Sequence, residues 1–349
     1  MTMTNVGLTV IIGAQLTLLV SIVAMKIYAR RTDVLSGRYV HGDRNQSSTR
    51  DEHVFPAYAT VTELNPQAQT LPFLPPQPAC SNAFGKTSAQ TDAEAKTEIV
   101  REVDPSQIFR ASATLPAGVR IYAVGDIHGR ADLLRTMLEK VNADRRLRPV
   151  VRPILLFIGD YVDRGPSSRE VLDILLEYRG TSESIFLKGN HETFVPRFLK
   201  DPAVLYEWRL YGGLETLLSY GLKPTFSPDE RERTRLSEEF AQAISIDHLA
   251  FLNSLQLSFR CGDFLFVHAG IRPGVPVADQ EEKDLLWIRE EFLSSEAPHG
   301  VFVVHGHTPV RAPEMRSNRL NIDTGAFATG RLTCAIIEGS TITALSTHD

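Results

Sequence analysis

Cysteine is scarce in this chain. Three occur in 349 residues, Cys80, Cys261 and Cys334, scattered and without a C-x-x-C pair. Such spacing argues against a disulfide framework and against a zinc–thiolate site, and leaves three inert thiols. Positive charge is not in excess either. Lys and Arg number 37 against 42 Asp and Glu, a formal net charge of −5. The chain therefore has no overall basic field with which to hold a nucleic-acid duplex. No internal repeat is evident. What remains is an ordinary globular composition, 43% hydrophobic and 23% charged, in a length that suits one large domain or two smaller ones.

Three parts can be distinguished. Residues 6–25 are apolar and carry no charge, with Lys26, Arg30, Arg31 and Arg38 following at once and no Lys or Arg before them. A helix of that length spans the hydrocarbon core of a bilayer at about 1.5 Å per residue. The charge asymmetry then places the C-terminal side in the cytoplasm. The expectation is a transmembrane anchor over residues 1–28, single-pass, with a cytoplasmic catalytic domain; a cleaved signal peptide and a core helix are the alternatives. Residues 29–106 mix basic, polar and proline residues without a period. The run Leu71-Pro72-Phe73-Leu74-Pro75-Pro76-Gln77-Pro78 suits neither helix nor central strand, because proline lacks the N–H donor. This part reads as a disordered linker.

Residues 107–349 read as a globular α/β domain. Short runs of Val, Ile, Leu and Phe at 119–124, 154–158, 185–187, 264–267 and 301–304 predict buried strands. Leu133, Leu134, Met137, Leu138 and Val141 have helical spacing. Further strands are expected at 320–322, 332–337 and 342–345, with little helix between them.

Five polar clusters follow these apolar runs, and strand ends are where α/β domains bind ligands. The first holds Asp126 and His128 between glycines. Two residues apart in extended chain, they point to the same side and supply half of a metal site. The second holds Asp160, whose two carboxylate oxygens can bridge two ions, then Asp163 and Arg164, which suit the substrate side. The third pairs Asn190, an uncharged oxygen ligand, with His191, free for proton transfer. The fourth and fifth offer imidazoles at His268, His305 and His307. Each cluster alone is weak evidence, since a lone Asp or His at a strand end usually caps or hydrogen-bonds. Together they take five of the ten histidines, a concentration of metal-type donors that chance does not supply.

The ordered motifs GDIHG, GDYVDRG, GNHE, HAG and HGHT resemble the calcineurin-like metallophosphoesterases. More narrowly they are similar to the phosphoprotein phosphatase family, which includes Ser/Thr protein phosphatases and bacterial symmetrical dinucleoside tetraphosphatases. The resemblance implies a four-layer αββα sandwich carrying two divalent ions, Mn2+ first, with Fe or Zn as alternatives. It implies Asp126, His128 and Asp160 as ligands of one ion, and Asp160, Asn190, His268 and His307 as ligands of the other. His305 becomes a neighbour. His191 would be the general acid, paired with Asp163, and Arg164 and Arg289 would bind substrate phosphate, although Arg289 also suits a surface helix. The activity implied is hydrolysis of phosphomonoesters, phosphoserine and phosphothreonine in proteins first, by direct attack of water activated between the ions. Symmetrical hydrolysis of a dinucleoside polyphosphate is the alternative. An inactive membrane-tethered scaffold is the alternative of another class. The run Asn321-Ile322-Asp323-Thr324-Gly325-Ala326 and the segment Trp208-Arg209-Leu210-Tyr211-Gly212-Gly213 with Thr216 resemble bacterial members, which puts a strict protein substrate in question. Asp323 itself reads as a turn-former or as a residue supporting the ligands, rather than as a ligand.

Overall fold

Along each apolar run, odd and even residues face different surroundings, and this alternation builds the architecture. The computed structural model describes residues 101–102, 109–180 and 183–348. In chain order the elements are β1 (Arg101–Glu102), β2 (Phe109–Arg110), β3 (Val119–Val124), α1 (Ala131–Leu147), β4 (Arg152–Phe157), α2 (Ser168–Tyr178) and β5 (Ser184–Phe186). A helical stretch follows, with α3 (Phe194–Lys200), α4 (Leu205–Trp208), α5 (Gly213–Ser219), α6 (Glu230–Ala243) and α7 (Ile246–Asn253). The rest comprises β6 (Ser258–Cys261), β7 (Phe264–Val267), α8 (Glu282–Trp287), α9 (Glu290–Leu293), β8 (Phe302–His305), β9 (Glu314–Met315), β10 (Arg319–Asn321), α10 (Ala326–Thr329), β11 (Thr333–Glu338) and β12 (Thr341–Ser346).

The strands form two six-stranded sheets, ordered β2-β12-β11-β3-β4-β5 and β1-β9-β10-β8-β7-β6. In the first, β3, β4 and β5 run parallel. In the second, β7, β8 and β10 do. Ile121, Ala123, Ile154, Leu156, Ala335 and Ile337 of the first sheet meet Phe264, Phe266, Phe302 and Val304 of the second in one buried core. Their neighbours Tyr122, Val124, Leu155 and Phe157 face the other way, onto Leu134, Met137, Leu138 and Val141 of α1 and Val171, Leu172, Ile174 and Leu175 of α2. Leu265, Val267 and Val303 back onto Leu285 of α8 and Phe292 of α9. The period of two in a strand sends alternate side chains to opposite faces, so each sheet is buried on both. This gives helices, sheet, sheet and helices in four layers, the mixed α/β arrangement expected.

Two expectations about the N-terminal side change. β1 pairs antiparallel with β9, Arg101 opposite Met315 and Glu102 opposite Glu314, so the stretch assigned to the linker contributes a strand. Membrane anchoring, and the cytoplasmic placement drawn from it, are corrected: among the described residues no helix is long and apolar enough to cross a membrane. The longest described helix, α1, has 17 residues and is amphipathic, whereas a span needs about 20 mostly apolar ones. Residues 6–25 and 29–100 lie outside the described residues.

Candidate active site

The parallel strands carry the site because their carboxyl ends point to one rim. The loops after β3, β4, β5, β7 and β8 begin at residues 125, 158, 187, 268 and 306, and the polar clusters sit on them. The backbone there is under strain. Among the described residues, the non-glycine residues with left-handed φ are His128 (46°), Asp160 (53°), Asp163 (72°), Arg164 (66°) and His307 (67°). Each such conformation costs about 1–3 kcal/mol and persists where its surroundings impose it. All five are candidate site residues, so the left-handed backbone is concentrated at this rim.

Two sets of buried donors converge on one carboxylate. The ligand atoms of His128, Asp160 and His191 lie within 4.8 Å of one another, and so do those of Asp160, His268 and His307. Asp160 belongs to both. Hydrogen bonds at the outer ring nitrogens fix which nitrogen faces inward. His128 donates through Nδ1 to Val162 O (2.9 Å) and His268 through Nδ1 to Ile158 O (3.1 Å). The Nε2 lone pairs are thereby turned toward Asp160, at 3.3 Å and 3.4 Å. Asn190 Oδ1 stands 3.0 Å from His268 Nε2 and 2.9 Å from His307 Nδ1. Asp126 is tied to the same loops, its Oδ2 accepting the His307 backbone N–H at 3.0 Å.

The donor set fits cations. Asp126 Oδ1 and His307 Nε2 are buried with no hydrogen-bond partner, a costly state for polar atoms that an ion relieves. Lone pairs of His268 and Asn190 face each other across a short gap, which repels unless positive charge lies between. Burial, then the neighbouring charges of Asp323 and Asp160, push the Asp126 carboxyl well above its ordinary range. Burial acts in the same sense on Asp160, but His268, His191 and His128 hold it well below the usual range. Burial and the Arg164 charge push His128 down to about 4, so its imidazole is neutral and ligand-ready near pH 7. Oxygen and imidazole donors without thiolate suit Mn, Fe or Zn.

His191 and Asp163 form a buried pair. His191 Nδ1 donates to Asp163 Oδ2 at 2.7 Å, which leaves Nε2 directed toward Arg164 Nη2 at 3.1 Å. Burial pushes the imidazole down to about 3 and the carboxyl up to about 7; both shifts express resistance to charge in a dry site. The other arm of Arg164, Nη1, donates to His128 Nε2 at 3.0 Å. Its guanidinium lies over the Phe327 ring, 4.8 Å from the centroid. Arg289 is exposed just before α9, with Nη1 reaching Thr308 Oγ1 at 3.5 Å. Its charge helps lower His191, His268 and His307, and its contact at Thr308 places it next to His307 in the chain. His305 stands outside both donor sets, its ring edge-on to Phe292 at 5.0 Å. Asp323 Oδ1 accepts the Gly325 N–H at 2.8 Å, which is a turn role.

Glu192 is the residue that motif reading passed over. Its buried carboxylate accepts backbone N–H bonds from Gly189 (2.8 Å), Asp160 (2.9 Å) and Tyr161 (2.8 Å). It therefore ties the loop after β4 to the loop after β5 and holds Asp160 at its left-handed φ. Burial, then the Asp160 charge, push it up to about 8. The available signal was an acidic residue directly after the Asn-His pair, in a buried strand-end loop where an unpaired carboxylate is not tolerated.

Comparison with known proteins places the sequence among relatives. The chain is 26% identical over 233 residues to the asymmetrical bis(5'-nucleosyl)-tetraphosphatase PrpE of Anoxybacillus flavithermus, covering 60% of this chain and 87% of that protein. It is 28% identical over 232 residues to the protein of the same name from Bacillus velezensis, covering 60% and 86%. Among solved structures, a metallophosphoesterase from Sphaerobacter thermophilus aligns with a TM-score of 0.37 and 18% identity, over 67% of this chain and 88% of that one. Residues 119–330 match the family model of the calcineurin-like phosphoesterases, enzymes built around a pair of metal ions. With that match spanning both donor sets and more than half of the sequence, the chain belongs to the calcineurin-like phosphoesterase family.

Proposed function

We propose that this phosphoesterase hydrolyses phosphate esters with Asp126, His128 and Asp160 holding one divalent ion and Asp160, Asn190, His268 and His307 holding a second. The observation that carries the reading is Asp160, common to the His128–Asp160–His191 and Asp160–His268–His307 groups. Asp126 and Asn190 are added to them through their contacts with His307 and His268, and His191 is read as the acid because its Nδ1 is engaged by Asp163. Mn2+ is the proposed metal, with Fe and Zn compatible with the same donors. When bound, such a pair of ions supplies Lewis acidity and lowers the pKa of water enough to give a nucleophile near neutral pH.

The chain's own groups account for the rest. Arg164 spans from His128 to His191, from a proposed ligand to the proposed acid, where it would meet a phosphoryl group lying between them. Its planar fork suits phosphoryl oxygens and neutralises charge as it builds there. Arg289 supplies a second positive charge. Asp163 accepts the Nδ1–H of His191 and so holds Nε2 toward the leaving oxygen. As general acid the ring carries a second proton on Nε2, as the imidazolium, and gives that proton to the leaving oxygen while the Nδ1–H stays bonded to Asp163. Burial of the pair excludes competing water.

Two substrate classes suit this machinery. Phosphoserine or phosphothreonine in proteins, or a broader range of phosphomonoesters, is the first. A dinucleoside tetraphosphate is the second, supported by the names of the relatives, which specify asymmetrical cleavage rather than the symmetrical cleavage the motifs suggested. The test is the full chain loaded with Mn2+, assayed in parallel on a phosphothreonine peptide and on diadenosine tetraphosphate with product analysis. A higher kcat/KM on the peptide supports the first. ATP plus AMP from the nucleotide with no peptide turnover replaces it with the second, and metal binding without turnover of either points to a non-catalytic scaffold.

A further inference from the structure

The segment 208–216 is absorbed by none of the roles above, yet its polar and glycine positions converge on Asp163 and Arg164. Those two are consecutive non-glycine residues in the left-handed region, at φ 72° and 66°. Thr216, on α5, closes a ring with Asp163: its Oγ1 accepts the Asp163 backbone N–H at 2.9 Å and donates to Asp163 Oδ1 at 2.6 Å. Ser168 Oγ lies 3.0 Å from Thr216 Oγ1 and also accepts the Asp163 N–H at 3.0 Å. Trp208, at the end of α4, donates its indole N–H to Asp163 Oδ2 at 2.8 Å, the oxygen that also accepts His191 Nδ1–H. Gly212 O accepts the Arg164 backbone N–H at 3.1 Å. Gly212 itself sits at φ 93°, and a Cβ there would stand 2.6 Å from Arg164 N; a Cβ on Gly213 would collide with the Trp208 ring. Trp208, Thr216 and Asp163 are all buried.

We infer that Trp208 and Thr216 are positioning residues which clamp the Asp163–Arg164 turn, fix the carboxylate plane of Asp163, and thereby aim His191 Nε2 at the leaving group while holding Arg164 across the phosphoryl path. The inference rests on the proposed acid role of His191. A buried carboxylate with one oxygen held by Thr216 and the other shared by Trp208 and His191 has a single orientation available, and the imidazole follows it. Removing the Thr216 hydroxyl leaves Asp163 Oδ1 without a donor and frees the carboxylate to turn. A displacement of about 1 Å in such a group costs on the order of 100-fold in rate, and the loss falls on steps that need the acid.

The experiment compares leaving groups in the full-length, Mn2+-loaded protein. Thr216→Val, Thr216→Ser, Trp208→Phe and His191→Asn are assayed on p-nitrophenyl phosphate, whose leaving group needs little protonation, and on an alkyl phosphate, whose leaving group needs it, with bound metal counted in each variant. Thr216→Val and Trp208→Phe are expected to keep their metal and to lose roughly tenfold or more in kcat on the alkyl ester beyond their loss on the aryl ester, with KM little changed. Thr216→Ser, which retains the hydroxyl, is expected to restore the alkyl rate. Trp208→Phe keeps the ring against Gly213 and serves as the second variant if Thr216→Val fails to fold. Equal losses on both esters in Thr216→Val and Trp208→Phe, alongside a selective alkyl loss in His191→Asn, overturn the positioning role alone. Equal losses in His191→Asn as well overturn the acid assignment and the positioning role with it.

Discussion

Asp160 shows how much one side chain can be asked to do. Its oxygens are 3.3 Å from His128 Nε2 and 3.4 Å from His268 Nε2, and its backbone is held by Glu192. Asp160→Asn removes the negative charge shared by both donor sets. Metal analysis of the purified variant should find fewer than two ions, and activity should fall by more than roughly 100-fold, beyond the 10–100-fold typical of losing a supporting partner. A variant that keeps both ions and its rate would remove Asp160 from the bridge. Glu192→Gln is the softer case. The amide has one acceptor oxygen where the carboxylate has two, so some of the N–H bonds from Gly189, Asp160 and Tyr161 go unmade. Metal affinity, read by titration into stripped protein, is expected to weaken by about 10–100-fold; unchanged affinity would show that the loop holds its shape without Glu192.

Strands contribute through the faces they bury. Phe266 in β7 is fully buried between the two sheets, whereas Phe226 is largely exposed. Phe266→Ala should therefore cost about 3–5 kcal/mol of unfolding free energy, and Phe226→Ala should stay within about 0.5 kcal/mol of the parent. Urea unfolding of both variants measures the difference, and similar values would contradict the two-sheet core. Helices contribute differently. α1 packs Leu134, Met137, Leu138 and Val141 against the outer face of the first sheet, a spacing of three and four residues that places one stripe inward. α4 and α5 are short, and their importance lies in where they put Trp208 and Thr216.

Taken whole, the molecule gathers unlike loops from two sheets around a concentration of buried polar groups. Asp126, Asp160 and Asp323 are buried together, and the first and third have their carboxyls pushed up chiefly by burial. Bound cations relieve that cost in the folded state and have no such site in the unfolded chain. Chelation should therefore lower the melting temperature, and Mn2+ added back should restore it together with activity. At a free metal concentration about 100 times the Kd, the stabilisation is about 2.7 kcal/mol. A melting curve indifferent to chelator and metal would contradict a metal centre in these donor sets.

Local sequence was enough for the strand faces and for the family. The runs at 119–124 and 264–267 became β3 and β7 with the same limits, because an apolar strand buried on both faces needs only its own residues to declare itself. The polar clusters offered candidate donors at strand ends, and among them the fold brings His128, Asp160, His191, His268 and His307 close together. Pairing and closeness were not legible. The two-residue strands β1, β2 and β9 are defined by the neighbours they pair with, β9 between β1 and β10 and β2 on β12. The membrane assignment rested on the length of an uncharged apolar run and the charges flanking it, and found no supporting helix among the described residues. Nothing local told that Glu192 would hold the Asp160 loop, or that Thr216 would reach Asp163 across 53 positions. Those contacts depend on how two sheets and their covering helices close on one another, and that closure is set by packing between residues far apart in the chain.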